Sequence, residues 1–216
     1  MPFDGIPIPA LDFYEDLEAD NSKAFWMAHK HIYDESVKAP LEALAGELTE
    51  EFGQPKYFRP YRDVRFAKDK TPYKTHQGIY FAESRRYLHV SAAGLFVGGG
   101  YYEMASDQIT RYRRAVDEEV AVAGLLQAIT AARRAKLELG GEQLTRVPSG
   151  FERDHPQQDL LRRKAITLHR EFGSPDWLST KRAKTELLRA WRAMTPLIEW
   201  LDANVGKSDH IVARGR

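Results

Sequence analysis

The sequence predicts an α+β fold: a single domain over residues 1–206, with a small antiparallel sheet of about three to five strands packed by N-terminal and C-terminal helices. Three observations carry this expectation. Apolar residues recur at helical spacing as far as Phe52, short alternating runs follow between Gln77 and Gly99, and helical spacing returns after Ser106. At roughly 150 residues per domain, 216 residues make one domain with a core of ordinary size. Residues 207–216, beyond Gly206, read as a flexible tail.

The first helix follows Pro9, with Leu11, Tyr14 and Leu17 on one stripe. Asp20-Asn21-Ser22 supplies a cap, and Phe25, Trp26, His29, Tyr33 and Val37 continue the period. Pro40 interrupts the pattern before Leu41, Leu44, Leu48 and Phe52 resume it, so either one helix kinks there or Pro40 opens a new one. Strands are predicted over Gln77–Ala82, Tyr87–Ala92 and Leu95–Gly99, joined by tight turns. In the second, Leu88, Val90 and Ala92 face one way and Tyr87, His89 and Ser91 the other, which makes one face core and the other solvent or a site. Ser106 is the expected cap of a helix over Asp107–Val116. A second helix runs from about Glu118 to Lys136, a shorter one lies around Pro156–Arg163, a strand covers Lys164–His169, and a long helix runs from about Thr180 to Asn204.

Composition excludes several chemistries. The chain has no cysteine, which removes disulfides, thiolate metal sites and cysteine nucleophiles. No histidine spacing suits a metal, no dinucleotide, P-loop or nucleophile-elbow motif appears, and no cofactor is called for. The N-terminus lacks a basic start and an apolar run, and the longest uncharged stretch, Tyr87 to Tyr102, is too polar to span a membrane. A cytoplasmic protein without a membrane partner is therefore expected.

The net charge of +1 conceals a segregation. Residues 1–55 hold 12 acidic and 3 basic residues, a local charge of −9, whereas residues 56–76 hold 7 basic and 2 acidic ones, a local charge of +5. That second segment interleaves aromatic with basic residues, and its two prolines stiffen it. If Asp63–Phe66 is extended, Val64 and Phe66 face the core and Asp63 shares a face with Arg65; if it is helical, Arg62 and Arg65 share a side. Two arrangements suit these charges. Arg59, Arg62, Arg65, Lys68, Lys70 and Lys74 form an anion receptor, or Asp63, Asp69 and the acidic N-terminal helices neutralise them internally.

The run Phe58-Arg59-Pro60-Tyr61-Arg62-Asp63, then Arg65-Phe66, Lys68-Asp69-Lys70 and Pro72-Tyr73-Lys74-Thr75-His76, resembles the signature of a family of uncharacterised, mostly bacterial proteins known as a domain of unknown function. The similarity extends over nearly the whole chain, through Asn21–Tyr33, Gly94–Tyr101, Asp154-His155-Pro156 with Leu160–Lys164, and Pro196–Leu201. Where that family usually shows Trp-Phe, this chain has Phe25-Trp26. The resemblance implies a soluble, single-domain α+β protein and implies no reaction.

For function, the pattern favours a small anionic ligand bearing a carboxylate or phosphate. Arg62 and Arg65 would clamp it beside the strand face of Tyr87, His89 and Ser91, Arg59, Lys68, Lys70 and Lys74 would add field, and Tyr73 would orient it. Asp63, His76 and His155 are the proton-transfer candidates if there is turnover. Asp154 is equally suited to capping a helix that has Pro156 in its first turn. Interleaved basic and aromatic residues also suit nucleic-acid binding, against which the acidic first quarter argues. The third alternative is a non-enzymatic interaction module whose charged stretch is structural.

Overall fold

The structure, a computed structural model, describes residues 2–65 and 67–209. Helix α1 (Ile8–Ala19) has Pro9 in its first turn, where a missing N–H costs nothing. Helix α2 (Lys23–Ile32) is capped by Ser22, whose hydroxyl accepts the Phe25 N–H at 3.1 Å. The helical path runs on from α2, and Pro40 stands in the first turn of its last stretch, the second of the two arrangements expected. The path widens into a π-helical turn over Tyr33–Lys38, in which the Ala39 N–H reaches back five residues to the Asp34 carbonyl, and continues as α3 (Ala39–Phe52). Pro40 cannot supply a helical N–H and its ring crowds the carbonyl four residues back, so the wider turn lets it stand inside a continuous path.

The sheet has six antiparallel strands in the order β1-β2-β3-β4-β6-β5, more than the three to five expected. They are β1 (Pro55–Tyr57), β2 (His76–Phe81), β3 (Arg86–Ser91), β4 (Gly94–Tyr101), β5 (Glu138–Gly140) and β6 (Ile166–Gly173). The two outermost strands, β1 and β5, are three residues each. Runs that short carry no alternation to read and are defined by their neighbours β2 and β6. Pairing of β2 with β3 sets Ile79 opposite Leu88 and Gln77 opposite Val90 on the buried face, and His76 opposite Ser91 and Gly78 opposite His89 on the other.

Chain contacts divide the protein into two compact units, residues 1–97 with 171–189, and residues 98–170 with 190–216. In the first, α1 packs against β3, and the core holds Phe13, Tyr14, Leu17, Trp26, Leu44 and Leu48 with Ile79, Leu88 and Val90. In the second, helices α4 (Ser106–Asp117), α5 (Glu119–Arg134) and α8 (Thr195–Asn204) pack together around Tyr112, Leu125, Ile129, Leu197 and Leu201. Their apolar stripes recur at three and four residues, which is why they associate.

Several expected boundaries move. Ser106 lies inside α4, whose first turn is closed instead by the Gln108 side-chain carbonyl accepting the Ala105 N–H at 3.0 Å. The expected long C-terminal helix is two, α7 (Arg182–Ala193) and α8, because Pro196 cannot extend the ladder of α7 and sits in the first turn of α8. The helix around Pro156–Arg163 shrinks to one turn, α6 (Gln158–Leu161), with Gln157 rather than Asp154 at its cap. Among the described residues, no helix is long and apolar enough to cross a membrane.

Two glycines should respond oppositely to alanine. Gly94 has a φ of +96°, and a Cβ there would lie 1.9 Å from the Gly173 carbonyl oxygen, so Gly94→Ala should destabilise by about 3 kcal/mol or more in urea unfolding. Gly46, inside α3 with open space around it, should gain about 0.5–1 kcal/mol as Gly46→Ala.

Candidate functional site

The basic segment leaves the sheet after β1 and returns at β2 as a long excursion. Its base is a narrow antiparallel ladder: the Lys74 N–H donates to the Pro60 carbonyl and the Arg62 N–H to the Pro72 carbonyl, both at 2.8 Å, with Tyr61 bridging Tyr73. Both prolines serve as acceptors only, a role for which their missing N–H is no handicap. Asn21 completes the base. Its amide donates to the Tyr73 carbonyl and accepts the Tyr73 N–H, each at 3.0 Å, as a neighbouring strand would. Trp26 lies flat on Tyr73, with ring centroids 4.3 Å apart and planes 7° apart.

The tip is held by charge. Arg62 donates to the Asp69 carboxylate and the Thr71 hydroxyl, and Asp69 also accepts the Thr71 N–H at 2.9 Å. Arg65 forms a bidentate pair with Asp63, at 2.9 and 2.7 Å, so these two share a face as the extended geometry requires. The hydrogen bond from Arg65 brings the Asp63 carboxyl down to about 2, and the bond from the Thr71 N–H, joined by Arg62, does the same for Asp69. Lys70 donates to the Val64 carbonyl at 2.9 Å, Lys68 is exposed, and Val64 is half-buried. Phe66, expected to face the core, lies outside the described residues.

A second cluster occupies the face of β2 and β3 that is not core. His76 and His89 have ring centroids 4.9 Å apart, and His89 stacks on Phe96 of β4 at 4.6 Å with planes 6° apart. Tyr87 meets His89 and Phe96 edge-on, and Phe58 meets Tyr87 in the same way. Gly78 makes room for this layer, since a Cβ there would lie 2.7 Å from the Tyr87 hydroxyl and 3.1 Å from the Phe58 ring. The Lys74 ammonium sits 5.3 Å from the centre of the Phe58 ring.

Charges in this cluster act on one another with one sign. Burial and the nearby Arg59 lower Lys74, burial and Lys74 lower His76, and burial and His76 bring His89 down to about 4. Both imidazoles are therefore neutral at pH 7. His89 Nδ1 is buried without a hydrogen-bond partner among the described residues. Arg59 is exposed, and its charge also reaches Asp63.

His155 stands apart from this cluster. Its Nδ1 accepts the Gln157 N–H at 3.0 Å, which makes Nε2 the protonated nitrogen that faces Asp117 Oδ1 at 3.1 Å. Neither nitrogen is open to a substrate. Tyr73 is committed to the base of the excursion and the Arg62 side chain to its tip, whereas Arg59, Lys74, His76, Tyr87 and His89 come together. Sequence inspection missed three positions. Asn21 passed as part of a cap that Ser22 alone provides, Phe58 stood out only as one of the aromatics of the basic segment, and Phe96 was readable as the outward residue between buried Leu95 and Val97. Among the described residues, no group of three or more His, Cys, Asp or Glu side chains could hold a metal.

The chain belongs to a family described as conserved hypothetical protein (DUF2461), whose model matches residues 9–200. No curated protein matches the chain.

Two measurements check this geometry. Asn21→Ala leaves the Tyr73 N–H and carbonyl unpaired, so it should cost about 2 kcal/mol and speed amide exchange across residues 60–74. The folded state keeps His89 neutral to about 4, against about 6.5 when unfolded. Its stabilising contribution is complete above pH 6.5 and is lost as pH falls toward 4. Urea unfolding should show about 2–3 kcal/mol of loss across that window, reduced in His89→Phe, which preserves stacking on Phe96. Equal slopes in the two proteins would show that His89 does not titrate this way.

Proposed function

We propose that this protein binds a small molecule bearing a carboxylate or phosphate on the face formed by His76, Tyr87, His89 and Phe96, with Arg59 and Lys74 supplying the positive field. The observation that supports this is the run of like-charged or protonatable groups from Arg59 through Lys74 and His76 to His89, in which the charge that shifts Lys74, His76 and His89 is in each case a neighbouring cation or imidazole and never a carboxylate. Gathering such groups in a half-buried layer costs free energy, and an anion seated there relieves it. Phe58, Tyr87 and Phe96 provide the apolar walls on which a planar ligand would lie.

In this reading Arg62 and Arg65 shape the loop through Asp69 and Asp63, and the contact with the anion passes to Arg59 and Lys74. For any reaction, His76 is the best placed proton acceptor of the three candidates. It is neutral near pH 7 beside the Lys74 charge, while Asp63 is held by Arg65 and both nitrogens of His155 are engaged.

A calorimetric screen of phosphate- and carboxylate-bearing compounds tests the proposal. An anion on this face raises the pKa of His76 and Lys74 from their lowered values, so binding should take up protons and tighten as pH falls through the range in which His76 gains its proton. Lys74→Gln and Arg59→Gln should each weaken it by roughly tenfold. Binding that is indifferent to both substitutions, or no binding by any such compound, would defeat it.

A further inference from the structure

The segment Leu160-Leu161-Arg162-Arg163-Lys164, which the sheet-face site does not use, lies in the second compact unit. Its main chain is fixed from both sides. At the end of α6 the Tyr112 hydroxyl donates to the Leu160 carbonyl at 3.1 Å and Arg113 Nε to the Leu161 carbonyl at 3.2 Å. The Leu144 N–H donates to the Arg162 carbonyl at 2.7 Å, Gln143 bridges Arg163, and the Lys164 N–H donates to the Glu142 carbonyl at 2.8 Å. The guanidiniums of this segment therefore rise from an ordered backbone.

Their partners leave most of the charge uncompensated. Arg163 Nη1 is anchored on the Gly140 carbonyl at 2.7 Å and Arg113 on that of Leu161, and a carbonyl positions a guanidinium without neutralising it. Among the described residues Arg162 alone of these arginines forms an ion pair, with Asp159 at 2.6 Å, whose charge also reaches Arg163, while Lys164 is paired with Glu142. Nε of Arg162 and Nε of Arg163 are both buried with no acceptor among the described residues, a cost of about 1–3 kcal/mol for each donor. Arg133, exposed in the last turn of α5, lies within electrostatic reach of Arg163. Burial is the main cause that lowers Arg163, and Arg133 and Arg162 add to it against Tyr112 and Asp159.

We infer that Arg113, Arg162 and Arg163, with Arg133 at the rim, form a binding site for a phosphate group. Guanidiniums arriving from two elements offer more donors than the two oxygens of a carboxylate accept, whereas the oxygens of a phosphate can take forked bonds from several arginines at once. The site is independent of the sheet face, since it shares no residue with it.

The test is a titration with inorganic phosphate against chloride at equal ionic strength, followed through the arginine Nε–H resonances in nitrogen-15 spectra. The Arg162 and Arg163 signals should shift with saturation under phosphate alone. Arg113→Gln should weaken phosphate binding about tenfold. Arg133→Gln removes an exposed side chain, so it should fold normally and weaken binding about twofold to threefold. Lys74→Gln should leave these shifts unchanged, which separates this site from the sheet face. The inference is overturned if the Nε–H signals do not saturate, if chloride moves them equally, or if Arg133→Gln and Arg113→Gln both retain full affinity.

Discussion

Everything distinctive in the first compact unit depends on how an excursion of the main chain is kept paired after it leaves the sheet. Backbone N–H and carbonyl groups near the core must find partners, and between β1 and β2 the short ladder at the base of the excursion supplies only some of them. Two side-chain amides take that role. Asn21 presents a donor and an acceptor to Tyr73, and Gln77, itself 4% exposed, donates to the Phe58 carbonyl at 2.7 Å and to that of Gly78 at 3.0 Å. Gln77 in turn accepts from the Tyr33 hydroxyl at 2.7 Å, and burial pushes Tyr33 up to about 12, so it remains a donor at any physiological pH. Asn21 precedes α2, Tyr33 opens the π-helical turn and Gln77 lies in β2. The placement of helices against the sheet therefore sets the path of the loop.

The same arrangement sorts the charges. Carboxylates of the acidic N-terminal helices pair with lysines outside the basic segment. Asp34 pairs with Lys30, Glu42 with Lys38, and Glu47, lowered chiefly by its bond from Lys184, with that lysine. Neutralisation of the segment is local, through Asp63 with Arg65 and Asp69 with Arg62, and all four groups are partly exposed. Exposed pairs of this kind contribute little to global stability, but they fix the turn of a tip that has few main-chain bonds of its own. Among the described residues Arg59 and Lys74, at the base, form no ion pair of this kind, although the charge of Arg59 reaches Asp63, and they lie toward the aromatic and histidine layer. A segment that is predominantly basic in sequence is thus divided in space into a structural tip and a charged base.

Much of this was legible in advance and some was not, for identifiable reasons. The strands β2, β3 and β4 announced themselves by alternation, and with them the outward face carrying Tyr87 and His89. The meeting of His76 with His89 then follows from register, since Gly78 opposes His89 and His76 stands two residues earlier on the same face. The break at Pro196 was not read from the sequence, although the rule that makes Pro9 a helix opener applies there as well. By contrast, β1 and β5 are too short to carry a period, and Asn21 looked like any polar residue ahead of a helix.

Residue order alone carries the α+β class, the main helices, the inward and outward faces of the central strands, and the stretch in which cations and aromatics gather. These follow from periodicity and composition, which are properties of residues within a few positions of one another. Tertiary structure alone decided that Asp63 and Asp69 serve the loop, that both nitrogens of His155 are engaged, and that Arg59, Lys74 and the two histidines share one field. Such pairings join Asn21 to Tyr73 across 52 positions and Tyr33 to Gln77 across 44, and at those separations only the packed chain fixes which groups meet.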